Sequence, residues 1–335
     1  MKIRRLDLDD KSVNLEHEAF GIPPIEYDIT HASDHPLLRI ASYLVFAVLI
    51  GLILYLFYRL FLGGNVRSGT EIIKDAMHDR IFWSAILVGL VAQIIDGALG
   101  MAYGITSSSF LLAVGASPAM ASGATHLAEV FTSGVAEVFT SGVSGVSHLK
   151  MGNVNKKLFF SLLIPGIVGG LIGTFILSNV DGKVLKPYIS LYLLMMGLYV
   201  LSKAFRHIQA RYEINAAKIA PLALFGGLMD TTGGGGWGPI VTTSLVGSGH
   251  DPRTTIGSVN FAEFFLTVTV ATALFSILDQ SVWTIVAGLV IGGLFAAPFA
   301  AYITKHLKTK SLLILVGSLI SLISTFNLYK SFTTI

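Results

Sequence analysis

Asp96-Gly-Ala-Leu-Gly-Met-Ala-Tyr-Gly104 and, at an offset of 134 residues, Asp230-Thr-Thr-Gly-Gly-Gly-Gly-Trp-Gly238 decide how the rest of the chain is read. Their register continues without a gap: Gly115 meets Gly249, Pro118 meets Pro252, Gly123 meets Gly257, and His126-Leu-Ala-Glu-Val-Phe131 meets Asn260-Phe-Ala-Glu-Phe-Phe265. Apolar coincidences are cheap in an apolar chain, but paired Asp, Pro, Glu and aromatic positions in one register mark an internal duplication. Further down, Gly169-Gly-Leu171 pairs with Gly292-Gly-Leu294 at an offset of 123, so the first copy is the longer. Its Ala128–Val135 octapeptide is repeated at once as Ala136–Val143, which accounts for most of that difference.

The surroundings of both copies are lipid-like. The 335 residues are 53% apolar and 13% charged, with a mean hydropathy of +0.71; a soluble globule carries about a quarter charged residues. Eight of the twenty acids lie in 1–38, which reads as a wet cytoplasmic extension. Met1–Asp7 is basic, but no apolar run follows before Arg39, which argues against a cleavable signal. Zero cysteines exclude disulfides and thiol chemistry, no metal-ligand spacing stands out, and a net charge of +3 spread between apolar spans is no nucleic-acid surface. A Gly-x-x-x-x-Gly-Lys-Ser/Thr nucleotide loop is missing too. The expectation is therefore no enzyme, no cofactor, no metal and no nucleic-acid partner, with membrane lipid as the solvent.

Runs long enough to cross a hydrocarbon layer of about 30 Å are Arg39–Leu62, Ile81–Gly100, Pro118–Ser147, Leu158–Ser178, Pro187–Leu201, Ile219–Thr232, Thr254–Leu278, Val282–Thr304 and Ser311–Phe326. Tyr103–Val114 and Trp237–Gly247, at about 1.5 Å per residue, are too short to cross alone and read as re-entrant or broken half-helices. If each half-helix returns the chain to its starting side, sixteen of the twenty-three Lys and Arg fall on the side of the N-terminus. That places the N-terminus in the cytoplasm and the C-terminus outside, in an inner (cytoplasmic) membrane. Each copy then holds an odd number of crossings, so the second is inserted upside down. The expected fold is an all-α integral membrane protein with an inverted-topology repeat: 1–38 as extension, 39–62 as an extra helix, 81–206 as the first repeat, 207–216 as a linker and 217–331 as the second repeat.

Inverted repeats with interrupted helices usually build transporters whose binding site lies near the midplane, where the breaks meet. A chain break in lipid strands backbone amides and carbonyls, and glycine permits the tight backbone it needs. The following half-helix presents its amides with partial positive charge, which suits a small anion. The expected substrate-binding set is Gly100, Tyr103, Gly104, Thr125 and His126 in one half, and Gly234, Gly235, Gly236, Trp237, Gly238 and Asn260 in the other. Hydroxyls at Thr106, Ser107, Thr231 and Thr232 add donors, and no Lys or Arg lies within these segments. Asp96 and Asp230 read as organisers of the breaks, and Glu129 and Glu263 as proton or gating groups, because carboxylates inside apolar spans are costly and usually functional.

Plainer readings compete. Glycine patches often serve only close helix packing, and a membrane histidine often makes only an interhelical hydrogen bond. A passive anion channel or a non-transporting scaffold remain alternatives. An intramembrane aspartyl protease would use two aspartates, yet no Gly-x-Gly-Asp precedes Asp96 or Asp230.

The Asp96-Gly-Ala-Leu-Gly-Met element, the Gly233–Pro239 element with Trp237, and the paired Ala-Glu-Val-Phe and Ala-Glu-Phe-Phe helices resemble the TauE/SafE family of bacterial permeases over about residues 81–331. That resemblance implies secondary transport, by alternating access, of a sulfur-containing anion such as sulfite or an organosulfonate like sulfoacetate. A homodimer is compatible with the residues, though nothing in them requires one.

Overall fold

In the computed structural model the described residues are 76–99, 102–135, 154–205, 216–248, 250, 252–275, 278, 282–306 and 309–333, with isolated positions between 36 and 54. The expected extension 1–38, the helix 39–62, Gly100, the second octapeptide 136–143 and most of the linker 207–216 lie outside them. Every described element is a helix: α1 Arg80–Leu99, α2 Tyr103–Ala113, α3 Pro118–Val135, α4 Lys156–Asn179, α5 Gly182–Lys203 and α6 Ala216–Gly233. A π-helical turn, Gly238–Thr242, runs directly into α7 Thr243–Gly247, followed by α8 Pro252–Phe275, α9 Val282–His306 and α10 Thr309–Thr333. Among the described residues, stretches in α4, α5, α8 and α10 are long and apolar enough to cross a membrane.

Local chemistry sets the boundaries. The Asn155 side chain caps α4 by accepting from Leu158 N at 3.0 Å, and Asp181 starts α5 by accepting from Lys183 N at 2.8 Å. Helix α5 therefore begins five residues before Pro187, which the apolar run had made the first residue; that proline is absorbed inside the helix. Helix α10 continues to Thr333, beyond the expected stop at Phe326.

The most extensive helix pairings are α1 with α9, α4 with α6, α5 with α10, α4 with α8, α3 with α9 and α3 with α8. Exchanging α1–α5 for α6–α10 returns the same set of pairs. Glycine brings the backbones together in three of them. A Cβ on Gly288 would lie 2.7 Å from the Cβ of Ala85, and one on Gly292 would lie 2.7 Å from Leu90 N, so α1 and α9 run parallel. Cβ atoms on Gly169 and Gly173 would press on Leu224 to Leu228 and on Leu228 to Thr231, so α4 and α6 are also parallel. In α5 and α10, Gly197 faces Ser321 and Gly317 faces Leu201, an antiparallel register. Such small-residue contacts replace the hydrophobic driving force that lipid cannot supply between helices. Rings of Phe159, Phe261 and Phe265 fill the wider α4–α8 gap, with centroids 4.9 to 6.1 Å apart.

Gly227 sits in the α4–α6 seam, where a Cβ would meet the Gly166 carbonyl carbon at 3.0 Å and the Gly170 nitrogen at 3.1 Å. Valine at Gly227 is expected to destabilise the fold by roughly 1–3 kcal/mol, seen as a lower thermal midpoint of the detergent-solubilised chain. An unchanged midpoint would show that the seam opens without cost.

Candidate functional site

The two breaks follow one plan. In the first, Asp96 near the end of α1 accepts from the backbone N–H of Tyr103, the first residue of α2, through Oδ1 at 3.2 Å. In the second, Asp230 near the end of α6 accepts from the backbone N–H of Trp237 through Oδ1 at 3.0 Å. Each carboxylate thus reaches seven residues ahead and takes an amide that the interruption leaves without a helical acceptor. Between them the chain turns through left-handed conformations, at Ala102 (φ 113°) in one half and at Gly234 (φ 68°) and Gly235 (φ 154°) in the other. Alanine at such a φ is strained, and backbone strain collects where structure is over-determined.

The breaks touch. A Cβ on Gly104 would lie 2.5 Å from Gly235 Cα and 2.6 Å from the Gly234 carbonyl oxygen, so the two backbones meet where only glycine fits. Hydroxyls bridge the halves around this contact. Ser108 Oγ donates to the Gly234 carbonyl at 2.9 Å, Tyr192 Oη donates to the Gly235 carbonyl at 3.1 Å, and Ser122 Oγ donates to the Thr231 carbonyl. Exposed break carbonyls are thereby satisfied by protein groups, as membrane depth demands. Thr125 Oγ1 lies 3.4 Å from Ser108 Oγ.

His126 joins the halves by charge. It is wholly buried, and its Nε2 lies 3.0 Å from Asp230 Oδ2. Its Nδ1 lies 2.8 Å from the Ser122 carbonyl, which only accepts, so Nδ1 carries a hydrogen. A hydrogen bond between Nε2 and Oδ2 then requires one further proton, on the imidazole or on the carboxyl. The pair is a proton-holding unit in a water-poor place. Glu129, half-buried, stands within electrostatic reach of Asp230, His126 and Asp96. Asn260, which occupies the His126 position in the second half, is half-buried, as is Glu263.

Not every expected contact residue faces a space. The Trp237 ring is fully buried; its indole N–H donates to the Val259 carbonyl at 3.2 Å, and its six-membered ring lies over Gly166, where a Cβ would come within 2.6 Å. Tyr103 is 2% exposed, and Gly236 and Gly238 are buried. Thr232 Oγ1 is engaged by the Leu228 carbonyl. In contrast, Thr106 Oγ1, Ser107 Oγ and Thr231 Oγ1 are buried with no hydrogen-bond partner among the described residues. The reading of the sequence missed Ser108, Ser122 and Tyr192. The two serines lie on the repeated helices, but Tyr192 comes from α5, and no motif announces it.

A profile described as Sulfite exporter TauE/SafE matches residues 85–326. The chain is also similar to a protein described as Probable membrane transporter protein YtnM from Bacillus subtilis (strain 168), at 43% identity over 246 residues, covering 71% of this chain and 79% of that one. No solved structure matches it.

Asp230 holds two partners at once, so its replacements separate shape from charge. Asp230→Ala strands the Trp237 amide and His126, at about 1–3 kcal/mol for each buried orphan. Asp230→Asn keeps an acceptor for the amide and offers a donor to a neutral His126. The alanine variant is expected to melt well below the asparagine variant; equal midpoints would remove Asp230 from the break's architecture.

Proposed function

The chain belongs to the sulfite exporter TauE/SafE family and is a multi-pass membrane transporter, and on that footing we propose that it moves a small sulfur-containing oxyanion, sulfite or an organosulfonate, by alternating access in the cytoplasmic membrane. Two oppositely inserted repeats would rock against each other about the contact between the breaks. The parallel pairs α1–α9 and α4–α6 and the antiparallel pair α5–α10 support that reading, because two halves related by inversion place each helix beside such partners. The amino end is assigned to the cytoplasm by its excess of Lys and Arg.

One observation carries the proposal: two aspartate-organised breaks in direct backbone contact, Gly104 on Gly235, with uncommitted hydroxyls of Thr106, Ser107 and Thr231 around them. Backbone amides and hydroxyls bind an oxyanion without fixing it by a permanent charge, so release remains easy. Gly100, Gly104, Gly234, Gly235 and Asn260 are retained as groups that bound anion would touch. Tyr103, Trp237, Gly236 and Gly238 support them by fixing the breaks, and Thr125 does so through Ser108. Asp96, Glu129, Asp230 and Glu263 are the organising and gating groups. The His126–Asp230 pair supplies the exchangeable proton for coupling. A passive channel would need no such proton-holding pair.

Thermal unfolding of the purified chain with sulfite, sulfoacetate, taurine, thiosulfate and sulfate tests the cargo. A ligand at 100 times its Kd stabilises by about 2.7 kcal/mol, so one or more sulfur oxyanions should raise the midpoint by several degrees; no response to any of them overturns the cargo. For coupling, His126→Gln is expected to abolish the response of vesicle uptake to an imposed pH gradient. Retention of that response would take His126 out of the proton path.

A further inference from the structure

Lys203 closes α5 and is half-buried. Its Nζ donates to Thr243 Oγ1 at the start of α7 and stands 4.8 Å above the centre of the Tyr199 ring. Among the described residues no carboxylate pairs with it. An ammonium at the edge of the apolar layer is costly to desolvate, and an aromatic face and a hydroxyl offset only part of that cost. A second cation stands further out: Lys310, exposed at the start of α10, lies 5.0 Å over the ring of Phe205, two residues past Lys203.

The other half shows what packing alone requires. Thr243 aligns with Ser109 at the 134-residue offset. There α2 is tied to α10 by a neutral group, Asn327, whose Nδ2 donates to the Ser109 carbonyl at 2.8 Å. A short-helix tether of this kind therefore needs no positive charge. The charge exists in one half only, at the end of α5, and it is bonded to the re-entrant limb that leads from Trp237 at the second break.

We propose that Lys203, with the Thr243 hydroxyl, is an anion-binding station at one mouth of the permeation path, receiving a small oxyanion drawn in past Lys310 before it reaches the breaks. The station rests on the oxyanion reading above and adds a basic side chain, which the breaks themselves lack. Lys203 contacts the anion, Tyr199 holds the ammonium from its other face, and Thr243 turns its hydroxyl between lysine and guest. A mere snorkelling anchor, the alternative role for a lysine at a helix end, would set insertion and leave anion affinity alone.

The test uses the full chain in proteoliposomes, with sulfite and sulfoacetate uptake measured over a range of concentrations. Lys203→Met is expected to raise KM by about tenfold or more while leaving kcat within about twofold, and to flatten the fall of uptake with ionic strength. Lys203→Arg should restore most of the affinity. A folded Lys203→Met protein with wild-type KM and salt dependence overturns the station. So that poor folding of a variant does not decide the matter, the wild-type chain is also treated with an amine-acylating reagent and Lys203 is read by peptide mass spectrometry. Sulfite should slow its modification relative to chloride at equal ionic strength, and absence of protection by either sulfur anion overturns the proposal. A wild-type chain that transports neither anion overturns the cargo reading instead, and the station with it.

Discussion

The contact between Gly104 and Gly235 is the constraint on which the rest depends. Helices that stop inside an apolar layer must give their stranded amides and carbonyls to protein groups, because lipid offers no partners. Here each break solves half of that problem internally, with Asp96 or Asp230 accepting an amide seven residues on. The remaining carbonyls, those of Thr231, Gly234 and Gly235, are met from the opposite half or from α5 by Ser122, Ser108 and Tyr192. The second break is thus completed by hydroxyls of the first half. These bonds add to the close packing that also joins the two copies.

Glycine seams make this closeness mechanically useful. Along α1–α9 and α4–α6 the backbones approach within the space a methyl group would need. Backbone meets backbone at such seams, and the α4–α6 seam also takes the Trp237 ring over Gly166 and the Thr231 side chain beside Gly173. The bulky rings of Phe159, Phe261 and Phe265 lie instead on the α4–α8 side, where rigid packing holds helices of the two halves in register.

The breaks were legible because lipid chemistry writes them into short sequence: an aspartate, a run of small residues, then an aromatic that opens the next limb. Tyr103 starts α2 and Trp237 immediately precedes the π-helical turn, as the spacing implied. The helix alignment of His126 with Asn260 was legible for the same reason. What escaped was the environment of side chains whose neighbours come from elsewhere in the chain. Trp237 was expected in the substrate-binding set, but its surroundings were not legible: Gly166 and Gly226 leave a slot that its ring fills, a fact decided by how α4 meets α6. Lys203 looked like one more positive charge at a helix end until α5 and α7 were seen together. Pro187 looked like a helix start because the cap at Asp181 lies in a polar stretch outside the apolar run.

A repeat built from two equal halves would, under inversion, have equal free energies in its two access states, since each state is the other turned over. Under the alternating access proposed above, the departures from equality would decide which way the protein rests. Among them are His126 against Asn260, Lys203 with Thr243 against Asn327 with Ser109, and Ala102 against Gly236. Moving a two-state equilibrium from 1:99 to 99:1 takes about 5.5 kcal/mol, which differential binding of a proton and an anion to the two states would have to supply. Under that alternating access, the apolar scaffold would set which two states exist, while a proton on His126–Asp230 and an anion at Lys203 would set their balance. Vectorial movement in a pseudo-symmetric bundle would then follow from placing these groups in one sense only.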